Sequence, residues 1–271
     1  MKKPRSKLGQ VFLKDRNILD KIVRYSNVQE GEWVLEIGPG RGALTEFLLF
    51  KGVNVIAFEI DPSLVSELKR RYGLLLNDRL FLVEEDFLKV DVEKELVERG
   101  IQVPIKVVSN IPYYITTPII TKLIETKNLF NEIFLTIQKE VAERIVAKPG
   151  TSQYGSLTLY LKMFFDVEIL FNIPRTCFRP IPKVDSSFVR FRVREKPPID
   201  VKDTRFLERL IRFSFGGRRK KIKTVLRNNF GKLPFDEIEE ASGISLDRRG
   251  ETLSLEEFER LARAVKNNLK R

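Results

Sequence analysis

Residues 33–44 read Trp-Val-Leu-Glu-Ile-Gly-Pro-Gly-Arg-Gly-Ala-Leu, an apolar run that breaks into alternate glycines and resumes with helical spacing. The pattern predicts a strand, a tight turn and a helix, and it constrains how the rest of the chain can fold. Gly38, Gly40 and Gly42 let the main chain approach a ligand closely at the carboxyl edge of a sheet. The spacing differs from the Gly-x-Gly-x-x-Gly of a dinucleotide site, and an acid, Glu36, stands two residues ahead of the first glycine. A carboxylate there repels a pyrophosphate and suits a cationic amino group, such as that of the methionyl part of S-adenosylmethionine.

Further strands are expected to end in polar groups as well. Residues 43–51 read as a helix and 53–59 as a strand ending in Glu59, where doubly wound folds place a carboxylate on a ribose. Asp61-Pro62 then opens a helix, with Asp61 as cap and Pro62 in its first turn. A strand over 80–83 runs into Glu84-Glu85-Asp86-Phe87; Asp86 can accept from an adenine amine and Phe87 offers the ring a face or an edge. A strand over 105–108 delivers Ser109-Asn110-Ile111-Pro112-Tyr113. The exocyclic amine of adenine is a poor nucleophile, because its lone pair is delocalised into the ring. The Asn110 side-chain oxygen and a carbonyl near Pro112 can accept from that amine while Tyr113 stacks on the base. Positioning and polarisation then drive methyl transfer without a charged general base. The absence of histidine excludes His-based triads and the usual zinc sites, the single Cys177 excludes an internal disulfide, and no metal is expected.

Beyond these motifs, residues 131–136 read as a strand, 141–147 as a helix ended by Lys148-Pro149-Gly150, and 154–165 as a helix. Strands at 167–172 and 187–193 are expected to form an antiparallel edge, with a proline-rich loop over 178–182 between them. Lys196-Pro197-Pro198 is the linker candidate, dividing a domain over 1–195 from an all-helical module over 196–271. Helical patterns there cover 204–215, 221–230, 235–241 and 255–269.

Forty-nine Lys and Arg against 37 Asp and Glu give a formal charge of +12, which calls for a polyanionic partner. The first 24 residues are strongly basic and enclose Gly9-Gln10-Val11-Phe12-Leu13, with Asp15 or Asn17 as cap of a helix through Tyr25. Arg218, Arg219, Lys220, Lys221, Lys223 and Arg227 put six cations in ten residues at a helix start, where RNA phosphates would neutralise them. No apolar run reaches membrane-spanning length and the first residues lack the hydrophobic stretch of a signal peptide, so a cytoplasmic monomer without membrane contact is expected.

Together these segments resemble the ribosomal RNA adenine N6-dimethyltransferases of the small-subunit, 16S type. The resemblance spans essentially the whole chain. It is carried by Gly9-Gln10-x-Phe12-Leu13, Glu36-Ile-Gly-Pro-Gly-Arg-Gly42, Glu59, Glu85-Asp86-Phe87, Asn110-Ile-Pro-Tyr113, Gln138-Lys139-Glu140 and Phe178-Arg-Pro-Ile-Pro-Lys-Val-Asp-Ser186. It implies an α/β fold: a Rossmann-like class I methyltransferase sheet, mostly parallel with an antiparallel edge, followed by a small all-helical C-terminal domain. It further implies that Glu36 and Gly38, with Gly40 beside them, line the methionine end of S-adenosylmethionine. Glu59 would hold the ribose, and Asp86 and Phe87 the cofactor's adenine. Asn110, Pro112 and Tyr113 would handle the target base, with Phe178 as the second wall of its pocket. The amino-terminal patch would close over the cofactor and bring in Gln10 and Leu13. Family members often carry Asn between Gln and Phe; Val11 leaves only a main-chain or apolar contact there.

The implied substrate is a pair of adjacent adenosines near the 3′ end of small-subunit rRNA, presented in an immature small subunit, with a role in its biogenesis. Two alternatives stand beside this one: a large-subunit 23S rRNA dimethyltransferase of the macrolide-resistance type, and a non-catalytic ribosome-assembly factor that binds RNA. The 178–186 and 218–230 segments favour the small-subunit type, and the joint presence of Glu36, Glu59, Asp86, Asn110 and Tyr113 favours catalysis.

Overall fold

The structure is a computed structural model that describes residues 11–196 and 204–269. It opens with a short strand, β1 (Phe12–Leu13), and a helix, α1 (Arg16–Tyr25), capped by the Asp15 carboxylate, which accepts from the N–H groups of Asn17 and Ile18. Strand and helix then alternate through β2 (Trp33–Ile37), α2 (Ala43–Phe50), β3 (Asn54–Phe58), α3 (Pro62–Tyr72) and β4 (Leu80–Val83). Asp61 caps α3 with Pro62 in its first turn, as that pair predicts. Next come α4 (Val92–Glu98), β5 (Ile105–Asn110), α5 (Thr116–Glu125) and β6 (Phe130–Gln138). They are followed by α6 (Lys139–Ile145), α7 (Ser156–Phe164), β7 (Phe165–Ile173), β8 (Phe178–Arg179) and β9 (Ser186–Val193). Four helices close the chain: α8 (Thr204–Gly216), α9 (Ile222–Phe230), α10 (Phe235–Ser242) and α11 (Leu255–Leu269).

Seven strands form one sheet in the order β4-β3-β2-β5-β6-β9-β7. The pairs from β4 through β6 are parallel and β9 runs antiparallel to β6, so the mostly parallel sheet with an antiparallel edge is the one observed. Val34, Leu35, Val55, Ile56, Val107, Val108 and Leu135 are fully buried, as strands covered on both faces require. The strand order reverses between β2 and β5, and the carboxyl ends there bound a crevice in which a ligand can sit. The strand ends are tied sideways: Gly38 N–H donates to Phe58 O at 2.8 Å, Glu59 N–H to Val83 O at 3.0 Å, and Ile37 N–H to Ser109 Oγ at 2.7 Å.

The chain divides into two compact units. One runs to Ala142 and resumes over Glu168–Val193; the other comprises Glu143–Val167 and the chain from Arg194 onward. The boundary expected at 195/196 lies close to one crossing point, but residues 143–167, expected in the sheet domain, pack with the helices. The reason is apolar burial: Tyr154, Leu159 and Met163 share a core with Leu207, Leu210, Leu226 and Phe258, and the Tyr154 hydroxyl donates to Leu253 O at 2.8 Å. Of the linker candidate, Pro197 and Pro198 lie outside the described residues.

Gly42 starts α2 in the left-handed region (φ 76°), and its carbonyl accepts from the Tyr72 hydroxyl at 2.9 Å. A Cβ at that position would stand 2.7 Å from Leu68 Cδ2 and 3.0 Å from the Tyr72 ring. Backbone strain and overpacking therefore add, and Gly42→Ala is expected to lower the unfolding free energy by about 2–5 kcal/mol, read from urea midpoints at constant m-value.

Candidate active site

The crevice is built from residues at the carboxyl ends of the parallel strands. Glu36 is the penultimate residue of β2 and only 2% exposed; its Oε2 accepts from the Thr45 hydroxyl of α2 at 2.6 Å. The side chain still lines the cleft with Gly38, Pro39 and Gly40. Burial, opposed by the Thr45 hydroxyl and reinforced by the carboxylate of Glu59, pushes the Glu36 carboxyl up to about 8. A buried acid of this kind is poised to ionise when a cation comes to rest against it.

Glu59 comes directly after β3 and is 4% exposed. Its Oε2 accepts Gly40 N–H at 3.1 Å and its Oε1 accepts Asp61 N–H at 3.0 Å. Burial raises its pKa, and the backbone donors oppose that shift. A carboxylate offers about four lone-pair positions, so it can still accept from a ligand. Asp86 lies beyond β4 in a tight turn: its Oδ1 accepts Leu88 N–H at 3.0 Å and its carbonyl accepts Lys89 N–H at 2.8 Å. Phe87 turns inward, edge-on to Phe58 with ring centroids 5.6 Å apart, and both rings reach the cleft.

Asn110 ends β5 opposite Thr136 of β6. Its Oδ1 is buried and has no hydrogen-bond partner among the described residues. A desolvated acceptor left unpaired costs about 1–3 kcal/mol, and a cleft-lining one is available to an incoming N–H donor. Pro112 packs beside it, with its Cδ 3.7 Å from where a Gly38 Cβ would be, and its carbonyl accepts Ile115 N–H at 3.3 Å, leaving one lone pair. Tyr113 is half-buried, with its hydroxyl 2.6 Å from Ser186 Oγ.

From the amino-terminal patch, Val11, Phe12 and Leu13 line the cleft, while Gln10 lies outside the described residues. Val11 makes apolar packing contacts, in keeping with its side chain. The Phe12 ring lies over Gly40, where a Cβ would stand 2.9 Å from Cε1. Phe12 is held there within β1, which pairs antiparallel with β8.

That pairing also changes the place of Phe178. Leu13 stands opposite Phe178, whose side chain is fully buried in the core (0% exposed) and meets Tyr113 edge-on at 6.5 Å and 66°. Phe178 therefore backs the Tyr113 ring from the core rather than standing exposed as the second wall that the sequence suggested; neither ring lines the cleft beside the glycine turn, where Tyr114 and Ile115 follow Pro112. Residues with no role assigned from the sequence also contribute. Ile60 lines the cleft although 45% exposed, and Thr45 and Ser109 hold Glu36 and the β2 end. An exposed aliphatic residue directly after a strand-end acid was the available signal for Ile60. Ser109 heads the segment that carries Asn110, but nothing local assigns its hydroxyl to the β2 end, and nothing local marks Thr45.

The basic run lies in the helical unit and is not uniform. Arg218 Nε pairs with Glu251 at 2.9 Å and its Nη2 donates to Ser152 O, and Lys221 pairs with Asp247 at 3.0 Å. Lys223 and Arg227 lie over the Phe235 ring at 5.4 and 5.7 Å. Arg219 and Lys220 are exposed and make no salt bridge among the described residues. The six cations expected as one RNA-contact run thus include two whose charge is already partly met by the protein.

Residues 1–266 match the family described as ribosomal RNA adenine dimethylase. The chain belongs to that family. It is 43% identical over 264 residues to the ribosomal RNA small subunit methyltransferase A of Caldanaerobacter subterraneus subsp. tengcongensis, covering 97% of each chain. The enzyme of the same description from Lactococcus lactis subsp. lactis is 43% identical over 265 residues, covering 96% of this chain and 90% of the relative. Among solved structures, a dimethyladenosine transferase from Plasmodium falciparum superposes with a TM-score of 0.74 at 29% identity, over 92% of this chain and 95% of that one. The 23S rRNA methyltransferase ErmE gives 0.70 at 25% identity, over 94% and 99%. Family membership makes the chain an rRNA adenine methyltransferase with the class I fold.

The state of Glu36 has a consequence for stability. Its folded pKa lies above its unfolded one, so the folded chain holds a proton that the unfolded chain gives up, and stability drains away as pH rises from about 4.5 to about 8. Glu36→Gln removes that loss. The variant is expected to melt progressively higher than the parent protein across this window and to level off above it, as read by thermal denaturation from pH 5 to 9.

Proposed function

We propose that this chain transfers methyl groups from S-adenosylmethionine to N6 of adenosine in small-subunit rRNA, twice per base and on two adjacent adenosines near the 3′ end. The observation that carries this reading is the buried, unpartnered Asn110 Oδ1 at the end of β5, beside Pro112 and Tyr113. An acceptor already stripped of water pairs with the N6–H of an adenine without further desolvation, and it draws the amine away from conjugation with the ring. Asn110 is uncharged, so it orients the lone pair and removes no proton; the surplus proton of the methylated nitrogen would pass to solvent after transfer.

The residues of the cleft fit S-adenosylmethionine. A buried Glu36 matches a cationic amino group, and Gly40 leaves the space that Phe12 covers. Glu59 keeps acceptor capacity for ribose hydroxyls, while Ile60, Asp86 and Phe87 offer an apolar and acceptor-lined place for an adenine. When bound, the cofactor would supply a sulfonium-activated methyl group. Glu36 and Glu59 would fix its two ends, Phe12 would exclude water above the glycine turn, and Asn110 would hold the acceptor amine in line.

The small-subunit target is favoured by relatives named for that subunit at 43% identity, against 25% for the large-subunit enzyme. Arg219 and Lys220 are the cations best placed to meet RNA phosphates, since they are exposed and make no salt bridge among the described residues. The same reading puts the protein with ribosomes in the cytoplasm; no helix among the described residues is long and apolar enough to cross a membrane.

Asn110→Ala tests the reading directly. Its kcat is expected to fall about 10²–10³-fold with cofactor affinity nearly intact, whereas Glu59→Ala is expected to lose cofactor affinity first. Loss of cofactor binding in Asn110→Ala would make that residue structural and remove the reading's support.

Cofactor binding is further expected to release up to about one proton near pH 7, because the cation converts Glu36 to its charged form; the release fades above pH 9. Calorimetry in buffers of different ionisation enthalpy measures it. Arg219→Glu and Lys220→Glu are each expected to lower the salt slope of RNA binding by about one, while Arg218→Ala acts mainly on the stability of the helical unit.

A further inference from the structure

Tyr113 stands three residues beyond Asn110, with Pro112 between them, at the start of a single turn over Tyr113–Ile115. Its ring is held at two points. Phe178, fully buried, supports it edge-on at 6.5 Å, and the phenolic oxygen lies 2.6 Å from Ser186 Oγ. Ser186 is itself fully buried and is the first residue of β9, opposite Gln138 of β6. The chain leading into it is fixed from two sides: Lys139 N–H donates to Asp185 O at 3.0 Å, and Arg175 N–H donates to Asp185 Oδ1 at 2.9 Å.

The frame that carries Ser186 is the one that carries Asn110. β6 pairs with β5 through Thr136 opposite Asn110, and with β9 through Gln138 opposite Ser186. The acceptor and the anchor of the aromatic ring therefore belong to strands two apart in one sheet, joined by continuous hydrogen bonding. A hydroxyl at this position does more than fill space. It leaves the Tyr113 ring with one tilt where a ring packed only on Phe178 could rock about the edge contact. Burial also raises the Tyr113 pKa, so the phenol stays neutral and can serve as donor or acceptor to Ser186.

We propose that Ser186 is a positioning residue of the reaction, holding the Tyr113 ring through its hydroxyl at the tilt that stacks it on the target adenine while Asn110 takes the amine. The proposal rests on the reading that Tyr113 receives the base. It assigns to Ser186 no contact with cofactor or substrate.

The test uses the full chain with small subunits whose target adenosine is replaced by 2-aminopurine for binding, and with unmodified subunits for turnover. Ser186→Ala and Tyr113→Phe each break the same bond from opposite ends. Each is expected to lower kcat about tenfold with cofactor affinity unchanged, and the double variant is expected to lose no more than either single one. Quenching of 2-aminopurine on binding is expected to fall to about half or less in both, a signature that a loss of stability alone would not produce in protein still folded and binding cofactor.

Unchanged kcat and quenching in Tyr113→Phe, which removes the bond even if Ser186→Ala fails to fold, would overturn the proposal, as would additive losses in the double variant. These results leave the wild-type activity in place. Absence of transfer by the wild-type protein would instead overturn the function reading, and this inference with it.

Discussion

The site depends first on one carboxylate. Glu59 accepts Gly40 N–H with one oxygen and Asp61 N–H with the other, so a single buried side chain braces the turn after β2 against the start of α3. Without it, the amide of Gly40 would be left to seek another partner in a place where water is scarce. The brace fixes the turn over which Phe12 closes. The carboxylate keeps lone pairs to spare, so the group that shapes the cradle is also suited to bind what the cradle holds. Sideways ties from Gly38 to β3, from Glu59 to β4 and from Ile37 to Ser109 spread that order along the carboxyl edge of the sheet.

How much of the fold was legible in the sequence depends on the range of each signal. The Asp61-Pro62 start of α3, the strand at 80–83 and the helix at 255–269 are local matters of capping and apolar period, and they fall where those patterns put them. The strand-end positions of Glu36, Glu59, Asp86 and Asn110 come from the alternation of strand and helix, which brings their carboxyl ends to one edge. The rest depends on partners far along the chain. Two-residue strands such as β1 and β8 have no periodicity to detect, yet their pairing lays Phe12 over Gly40 and turns Phe178 into the core. Likewise, the apolar face of 154–165 was evident, but the core that covers it is made by helices beginning some forty residues later.

Charge illustrates the same point. Six cations in ten residues appear as one basic run, but Glu251 and Asp247, each more than twenty residues away, already meet two of them. Net charge speaks to the class of partner, while the individual contacts depend on which cations the fold leaves unmet. In the proposed function the two units have separate parts: the sheet edge would arrange acceptors without a charged base, and the exposed cations of the helical unit would meet a polyanion.

The most direct test of the central claim is methyl transfer from labelled S-adenosylmethionine to unmethylated small subunits, run beside large subunits and naked rRNA and completed by nucleoside analysis. Dimethyladenosine confined to the small-subunit sample is the predicted result. Label confined to large subunits, or RNA binding with no label in any sample, would contradict the account.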